Sequence, residues 1–553
     1  MTHMKKILLT IAIILPLAGV AQQDEKRTAL PIIRTSEKAL PIFEDGAGKP
    51  TGWWIINPKI RPDIYETSAK KLFFMNEKRD TLSFNIERGG VYDFIILQNG
   101  CDTAYTRIKW ITDNPLEEPA EDFCRRSPSG MLSRKQAEFD IDALVYTFSE
   151  VHPNMFYECG QAEFMEAVNR VKNNLPDSLN RVQLYKEVAP LVAMLGDGHS
   201  NLGFPLNDLF TKELLRLPLF VDIDLHNYDI TTKACIDSII PRGSQILSIN
   251  GVDSRTMLEH MMQYVSGERY FFRLARVNEG FTALFELLYA ADSYKVEYRE
   301  SESKKRKTVT LLPAKYEEIS KRLPYQKQQK QKTEDYSFTI DKKQNVAIMD
   351  FRRFNNPGKM RAFADSMFTC MRHEGIGNLI IDIRKNGGGN SAVGDELFRY
   401  ISPVPFKQMS KAFVRITPTT RRLAKIKDRH PGLYHYDNSQ DLTLPLTPEE
   451  GRFTGNVYLL TSHQTFSSAG SFAWAFKAFG MGTIVGEETG GMNVCFGDIL
   501  PYKLPVSGLV CSISYKRFWQ YDADEKNIHG AIPDYQVPQA KAMEKALKLA
   551  RRK

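Results

Sequence analysis

Several features that define broad protein classes are scarce in this chain of 553 residues. Its seven cysteines (Cys101, Cys124, Cys159, Cys235, Cys370, Cys495 and Cys511) lie far apart with no C-x-x-C pair. Zinc-ligand spacing is thus absent, and no metal site is expected. The odd number leaves at least one thiol unpaired within the chain, and sequence does not fix the pairing of the others. Charge of one sign is lacking too. Lys and Arg (74) barely outnumber Asp and Glu (66), and the net charge of +8 is spread along the chain, so no nucleic-acid partner is expected. No short-period repeat is evident.

Long apolar runs are equally rare. The one at Ile7–Val20 follows Lys5 and Lys6 and ends in small residues at Ala21. It is shorter than the ~20 residues that span a bilayer, and no Cys follows it to accept a lipid. This is the layout of a secretory leader over residues 1–21, with an uncleaved anchor as the alternative. We therefore expect an exported protein, periplasmic or secreted, with no integral membrane segment once the leader is removed.

What is present is domain-scale organisation. Short alternating segments such as "TLSFNIE" and "YDFIILQ" predict a β-rich N-terminal domain, a small sandwich, over residues 28–113. Apolar spacings of three and four in "FDIDALVYTFSEVHPNMF" and "FMEAVNRVKNNL" predict a helical region over 130–202. The stretch "IIPRGSQILSINGVDSRTMLEHMMQYV" sets a short strand, an Asn-Gly turn and a helix in the order found at the centre of PDZ domains, giving a PDZ-like domain over 203–314. A polar Gln/Lys-rich linker over 315–336 follows. From there to residue 540, strands ("NVAIMDF", "IGNLIIDI", "VYLLTS", "GTIVGEE") alternate with helical segments, the mark of an α/β domain.

Three segments carry chemistry. "TFSSAGSFA" places Ser467 and Ser468 where a buried strand gives way to a helix. Serines there are most often caps, yet such a hydroxyl is also exposed in the positive field of the helix N-terminus. "IIDIRKNGGGN" runs a strand into Gly387–Gly389, whose backbone N–H groups can approach a ligand closely. No Lys-Ser/Thr pair follows, so it is not a phosphate loop. "GDGHS" offers His199 in a Gly-rich loop, where a lone His is commonly structural. Together they supply a hydroxyl, a base and oxyanion donors.

In this order "GDGHS", "INGV", "DIRKNGGG", "TFSSAGSFA" and "VGEETGG" resemble the tail-specific, or C-terminal-processing, serine peptidases, over about residues 133–540. The resemblance implies a multidomain α+β protein with a crotonase-like catalytic domain over 337–540, hydrolysing polypeptides through an acyl-enzyme without a cofactor. The family's nucleophile lies nineteen residues before the Gly of "VGE", which is Ser467 here. Ser468, Gly388 and Gly389 then supply oxyanion donors. Two departures stand out: Gly470 replaces the tetrapeptide Glu, and Met492 replaces the Lys of the Ser–Lys branch. Lys477, ten residues along the helix, is too far to substitute. The chain therefore resembles the tricorn-like branch, with His199 as base and a late carboxylate as its partner. Among Asp522, Asp524 and Glu525 the spacing best fits Glu525, while Asp534 belongs to a structural "PD" turn. His152 and His463 compete with His199, the first as a cap and the second as a lining residue. The departures also leave a catalytically inactive ligand- or peptide-binding protein on the same fold as the alternative. Oligomeric state and substrate are not legible.

Overall fold

The computed structural model describes residues 121–551 except 128, 324–333 and 428–431. Ahead of these it describes seven short strands: Ile11–Ile13, Ala39–Pro41, Trp54–Ile56, Lys71–Met75, Thr81–Asn85, Val91–Gln98 and Asp102–Lys109. They form two antiparallel sheets, one of four strands between residues 39 and 85 and one of three joining 11–13, 91–98 and 102–109. The alternating runs "TLSFNIE" and "YDFIILQ" thus supply strands. Apart from Ile11–Ile13, the expected leader lies outside the described residues. The chain divides into two compact units: Met1–Leu209, Phe413–Tyr436 and Phe496–Arg517, and Phe210–Ala412, Asp437–Cys495 and Phe518–Lys553.

In the first unit three helices stand where the period of the sequence calls for them: α1 Arg134–Val151, α2 Gln161–Asn174 and α3 Arg181–Ala193. Capping boxes start two of them, Ser133 with Gln136 for α1 and Asn180 with Gln183 for α3, each satisfying two otherwise orphaned N–H groups. α1 buries Ala137, Ile141, Leu144, Val145 and Phe148 along one stripe. Asp140, on the same helix, is buried and accepts from Val506 N–H (2.8 Å) and Ser507 N–H (2.7 Å). A helix this occupied on its inner face is fixed in place. α3 ends at Ala193, and the loop "GDGHS" follows.

The second unit opens with an antiparallel sheet in sequence order: β1 Leu219–Ile223, β2 Ile230–Cys235, β3 Gln245–Ile249, β4 Tyr294–Arg299 and β5 Arg306–Leu311. Helices α4 Ser254–Met262 and α5 Tyr270–Tyr289 lie between β3 and β4 in sequence. Asn250 and Gly251 both take positive φ (51° and 81°), which is what a tight hairpin turn demands of the "NG" pair. The stretch expected to be a linker begins with a helix, Tyr316–Arg322. Its first turn carries Glu317 and Glu318 and its last Lys321 and Arg322, matching the helix dipole at both ends.

A six-stranded sheet then runs β6 Tyr336–Asp341, β7 Val346–Phe351, β8 Asn378–Asp382, β9 Asn456–Thr461, β10 Thr483–Gly486 and β11 Tyr535–Gln536. Only β6–β7 is antiparallel; every later pair is parallel. Successive side chains of a strand face opposite ways, and here both faces are apolar. Met349, Leu379, Ile381, Val457, Leu459 and Ile484 join one core with helices α6 Pro357–His373, α7 Ala392–Ile401 and α8 Ser468–Ala478. Ile380, Tyr458, Leu460 and Val485 pack on the other side against Ala542, Ala546 and Ala550 of α9 Gln539–Ala550. The continuous apolar runs "NLIID" and "NVYLLT" follow from this double coverage. In such sheets ligands gather beyond the carboxyl ends of the strands, and there β8 and β9 deliver the glycine run and the serine pair. The architecture is mixed α/β in a multidomain chain. No described helix is long and apolar enough to cross a membrane.

Candidate active site

Strand β9 is buried from Val457 onward, and the turn after it is tied to the exit of β8. Ser462 Oγ donates to Arg384 O (2.5 Å), Thr465 Oγ1 to Ile383 O (3.0 Å) and Phe466 N–H to Asn386 O (3.1 Å). The turn closes on Ser467, which has φ 52° and ψ −129°. A side chain in that region is strained, at a cost of order 1–3 kcal/mol, and persists only where the surroundings dictate it. The residue sits at the N-cap of α8, yet its side chain makes no capping bond. Its hydroxyl is left to other chemistry, half-buried at the positive end of the helix.

Ser468 is used differently. Its Oγ donates to Gly389 O (2.6 Å) and pairs with Ser391 Oγ (2.9 Å), fastening α8 to the glycine loop. That loop presses its backbone on the turn that carries Ser467. A Cβ on Gly388 would lie 2.7 Å from both Ser467 Cβ and Ser468 N, and one on Gly389 would lie 2.3 Å from Phe354 O. Both glycines also take positive φ (96° and 141°), so no other residue fits. Asn386, fully buried, shapes the loop: its Nδ2 donates to Phe351 O (2.8 Å) and its Oδ1 accepts from Gly388 N–H (2.9 Å). Gly388 N–H is therefore already engaged. Sequence reading passed over Asn386, whose partner Phe351 stands 35 residues away.

In the first unit, His199 is part-buried on the turn after Gly196 (φ 65°). Its N–H donates to Asp197 Oδ1 (2.9 Å), and its Nδ1 lies 3.9 Å from the same oxygen. Asp197 is fully buried. Its Oδ2 accepts from Ser514 Oγ (2.6 Å) and lies 3.2 Å from His152 Nε2. Burial alone would raise this carboxyl. Hydrogen bonding from His152 and Ser200, with the electrostatic pull of the His152 and His199 imidazoles, outweighs it and holds the group below the ordinary carboxylate range. His152, expected as a cap, is indeed the C-cap residue of α1, and its Nδ1 accepts from Asn154 N–H (3.2 Å).

The remaining candidates lie in the second unit. Asp522, Asp524 and Glu525 are exposed, and Glu525 accepts from Trp519 Nε1 (3.3 Å). Asp534 accepts from Ile484 N–H (2.8 Å) and pairs with Lys477 (3.2 Å), so both serve the sheet edge. His463 is held by Glu488 O at Nδ1 (3.0 Å), with Glu487 3.9 Å from Nε2 and the Phe271 ring tilted against its own at 4.2 Å. Burial keeps its imidazole below the ordinary range, against the pull of Glu487. Met492 is buried. Gly470 has a packing reason: a Cβ there would lie 2.9 Å from Gly491 Cα, so the tetrapeptide Glu could not be accommodated.

A strained serine at a strand–helix turn, with glycine backbone pressed on it, is the construction of a serine hydrolase nucleophile. Residues 345–537 match the family model Peptidase family S41, so the chain carries a domain of that family and is a serine-type peptidase. Among solved structures it is similar to mature CPAF, at 13% identity and TM-score 0.53, over 76% of this chain and 97% of that one. The CPAF complex with lactacystin gives 13%, 0.51, 76% and 98%. The photosystem II D1 C-terminal processing protease gives 16% and a TM-score of 0.38, over 75% and 97%. At these identities the CPAF likeness shows the fold.

Proposed function

We propose that this peptidase is an exported serine endopeptidase with Ser467 as nucleophile, His199 as general base and Glu525 as the carboxylate that orients His199. The observation that carries the reading is the backbone of Ser467, held at φ 52° with its hydroxyl unused by the helix it begins. Ser467 Oγ attacks the scissile carbonyl carbon while His199 accepts its proton. The N–H groups of Ser468 and Gly389 take the oxyanion. Gly388, whose own N–H is bound by Asn386, contributes the space that lets the loop close on Ser467. His199 returns the proton to the leaving amine, and water then releases the acyl group by the same path in reverse roles. The module of β1–β5 with α4 and α5 is assigned as PDZ-like, suited to gripping an extended polypeptide by strand addition. Residues 1–21 are assigned as the export leader, directing the protein to the periplasm or medium.

A fluorophosphonate probe followed by peptide mapping tests this directly. The adduct is expected on Ser467 and is lost in Ser467→Ala, which has no peptidase activity. Ser468→Ala keeps activity, lowered by about tenfold because the hydrogen bonds to Gly389 O and Ser391 Oγ, each worth ~1 kcal/mol, are gone while the backbone N–H remains. An adduct on Ser468, or an active Ser467→Ala enzyme, overturns the assignment.

A further inference from the structure

Resting on the reading of His199 as base, we propose that Asp197, two residues upstream, is a positioning carboxylate for that histidine. Three groups of the first unit clamp Asp197. Its own loop contributes the His199 N–H on Oδ1 at 2.9 Å, the C-terminal end of α1 contributes His152 Nε2 at 3.2 Å, and the strand Val510–Gln520 contributes Ser514 Oγ at 2.6 Å. The loop is closed behind it by Ser200, whose N–H donates to Asp197 O (3.1 Å) and whose Oγ accepts from Ser514 N–H (3.1 Å). Asp197 is 0% exposed, whereas Glu525 is exposed.

Asp197 is thus a second carboxylate for His199 beside the proposed Glu525, and burial sets the two apart. A buried carboxylate is costly to keep ionised unless it is hydrogen-bonded and meets positive charge. Asp197 has the hydrogen bonds, and 3.9 Å from its Oδ1 stands Nδ1 of the ring that becomes imidazolium when Ser467 gives up its proton. A fixed anion in a poorly screened site favours that imidazolium more than an exposed one does. The bond to His199 N–H sets the backbone, and so the direction from which the ring leaves the loop. Asp197 acts only through His199, with no contact to substrate.

Four variants assayed for kcat and KM on a peptide substrate, each checked for folding by circular dichroism, test the inference. His199→Ala is expected to be inactive. Asp197→Asn, which keeps the shape but not the charge, should lose on the order of 10²-fold in kcat with KM within about twofold. That is less than the ~10⁴-fold typical of directly bonded triads, since the Nδ1 contact is longer. Asp197→Glu, which restores the charge on a longer side chain, should recover part of this loss. A folded Asp197→Asn enzyme with wild-type kcat, beside an inactive His199→Ala, overturns the inference and leaves the base assignment standing. An active His199→Ala enzyme overturns the base assignment itself. Should Asp197→Asn not fold, Ser514→Ala decides, because it removes one donor and leaves the carboxylate. A severalfold drop in kcat at constant KM supports the role, and unchanged kcat overturns it.

Discussion

At Ser467 the demands of chemistry and of folding oppose each other. The φ of 52° and ψ of −129° belong to a region that glycine occupies almost alone. Replacing Ser467 by Gly should therefore abolish peptidase activity while raising stability by about 1 kcal/mol, read as a higher midpoint in thermal denaturation. Ser467→Ala, which keeps the Cβ, should be equally inactive without that gain. Ser467, His199 and the glycine run were legible in the sequence as candidates because each sits in a short local pattern. Asp197 and Asn386 were not, because what marks them is spatial. The partners of Asp197 lie 45 and 317 residues away, and an Asp ahead of Gly-His reads as an ordinary loop residue.

Elements tell a similar story with different physics. The runs "NVAIMDF", "IGNLIID" and "VYLLTS" read as buried strands because apolar residues fill both faces, and they form β7, β8 and β9. The helix Tyr316–Arg322 was hidden in a stretch whose polar composition outweighed its charge pattern. On α9 the buried positions are Ala542, Ala546 and Ala550, small residues that bring the helix close to the sheet. Ala546→Leu should overpack this contact and cost about 1–3 kcal/mol, seen as a lower urea midpoint. On α1, Glu150 is fully buried, and burial pushes its carboxyl up to about 8, against Arg415 and the hydroxyls of Thr419, Tyr146 and Thr417. The folded state thus holds this proton more tightly than the unfolded chain, where the value is near 4.3. Its contribution is complete below that value and is lost as pH rises through about 8, by up to about 1.4 kcal/mol per unit. Glu150→Gln should remove this dependence. Melting curves at pH 5 and pH 8 should show the variant gaining on the wild type at the higher pH.

For the whole molecule, the prediction concerns the route it takes. If residues 1–21 are an export leader, N-terminal sequencing of protein recovered from the periplasm or medium should begin at Gln22, and a chain starting at Gln22 should stay in the cytoplasm. Retention of Met1 in the exported material would count against cleavage. Among the described residues Cys124, Cys159, Cys235, Cys370, Cys495 and Cys511 form no disulfide, and Cys159, Cys235 and Cys511 are buried. Burial pushes the Cys511 thiol well above its usual range, which keeps it unreactive. The glycine loop against Ser467 has a consequence of another kind. Its backbone, the Asn386 brace and the serine's torsion are set by packing and main-chain bonds, none of which waits for a substrate. With Ser467 as the proposed nucleophile, an electrophilic inhibitor would meet its hydroxyl without first remodelling that loop. Restraint on cutting must then come from admission: which chains reach the serine, and when the proton acceptor is ready for them.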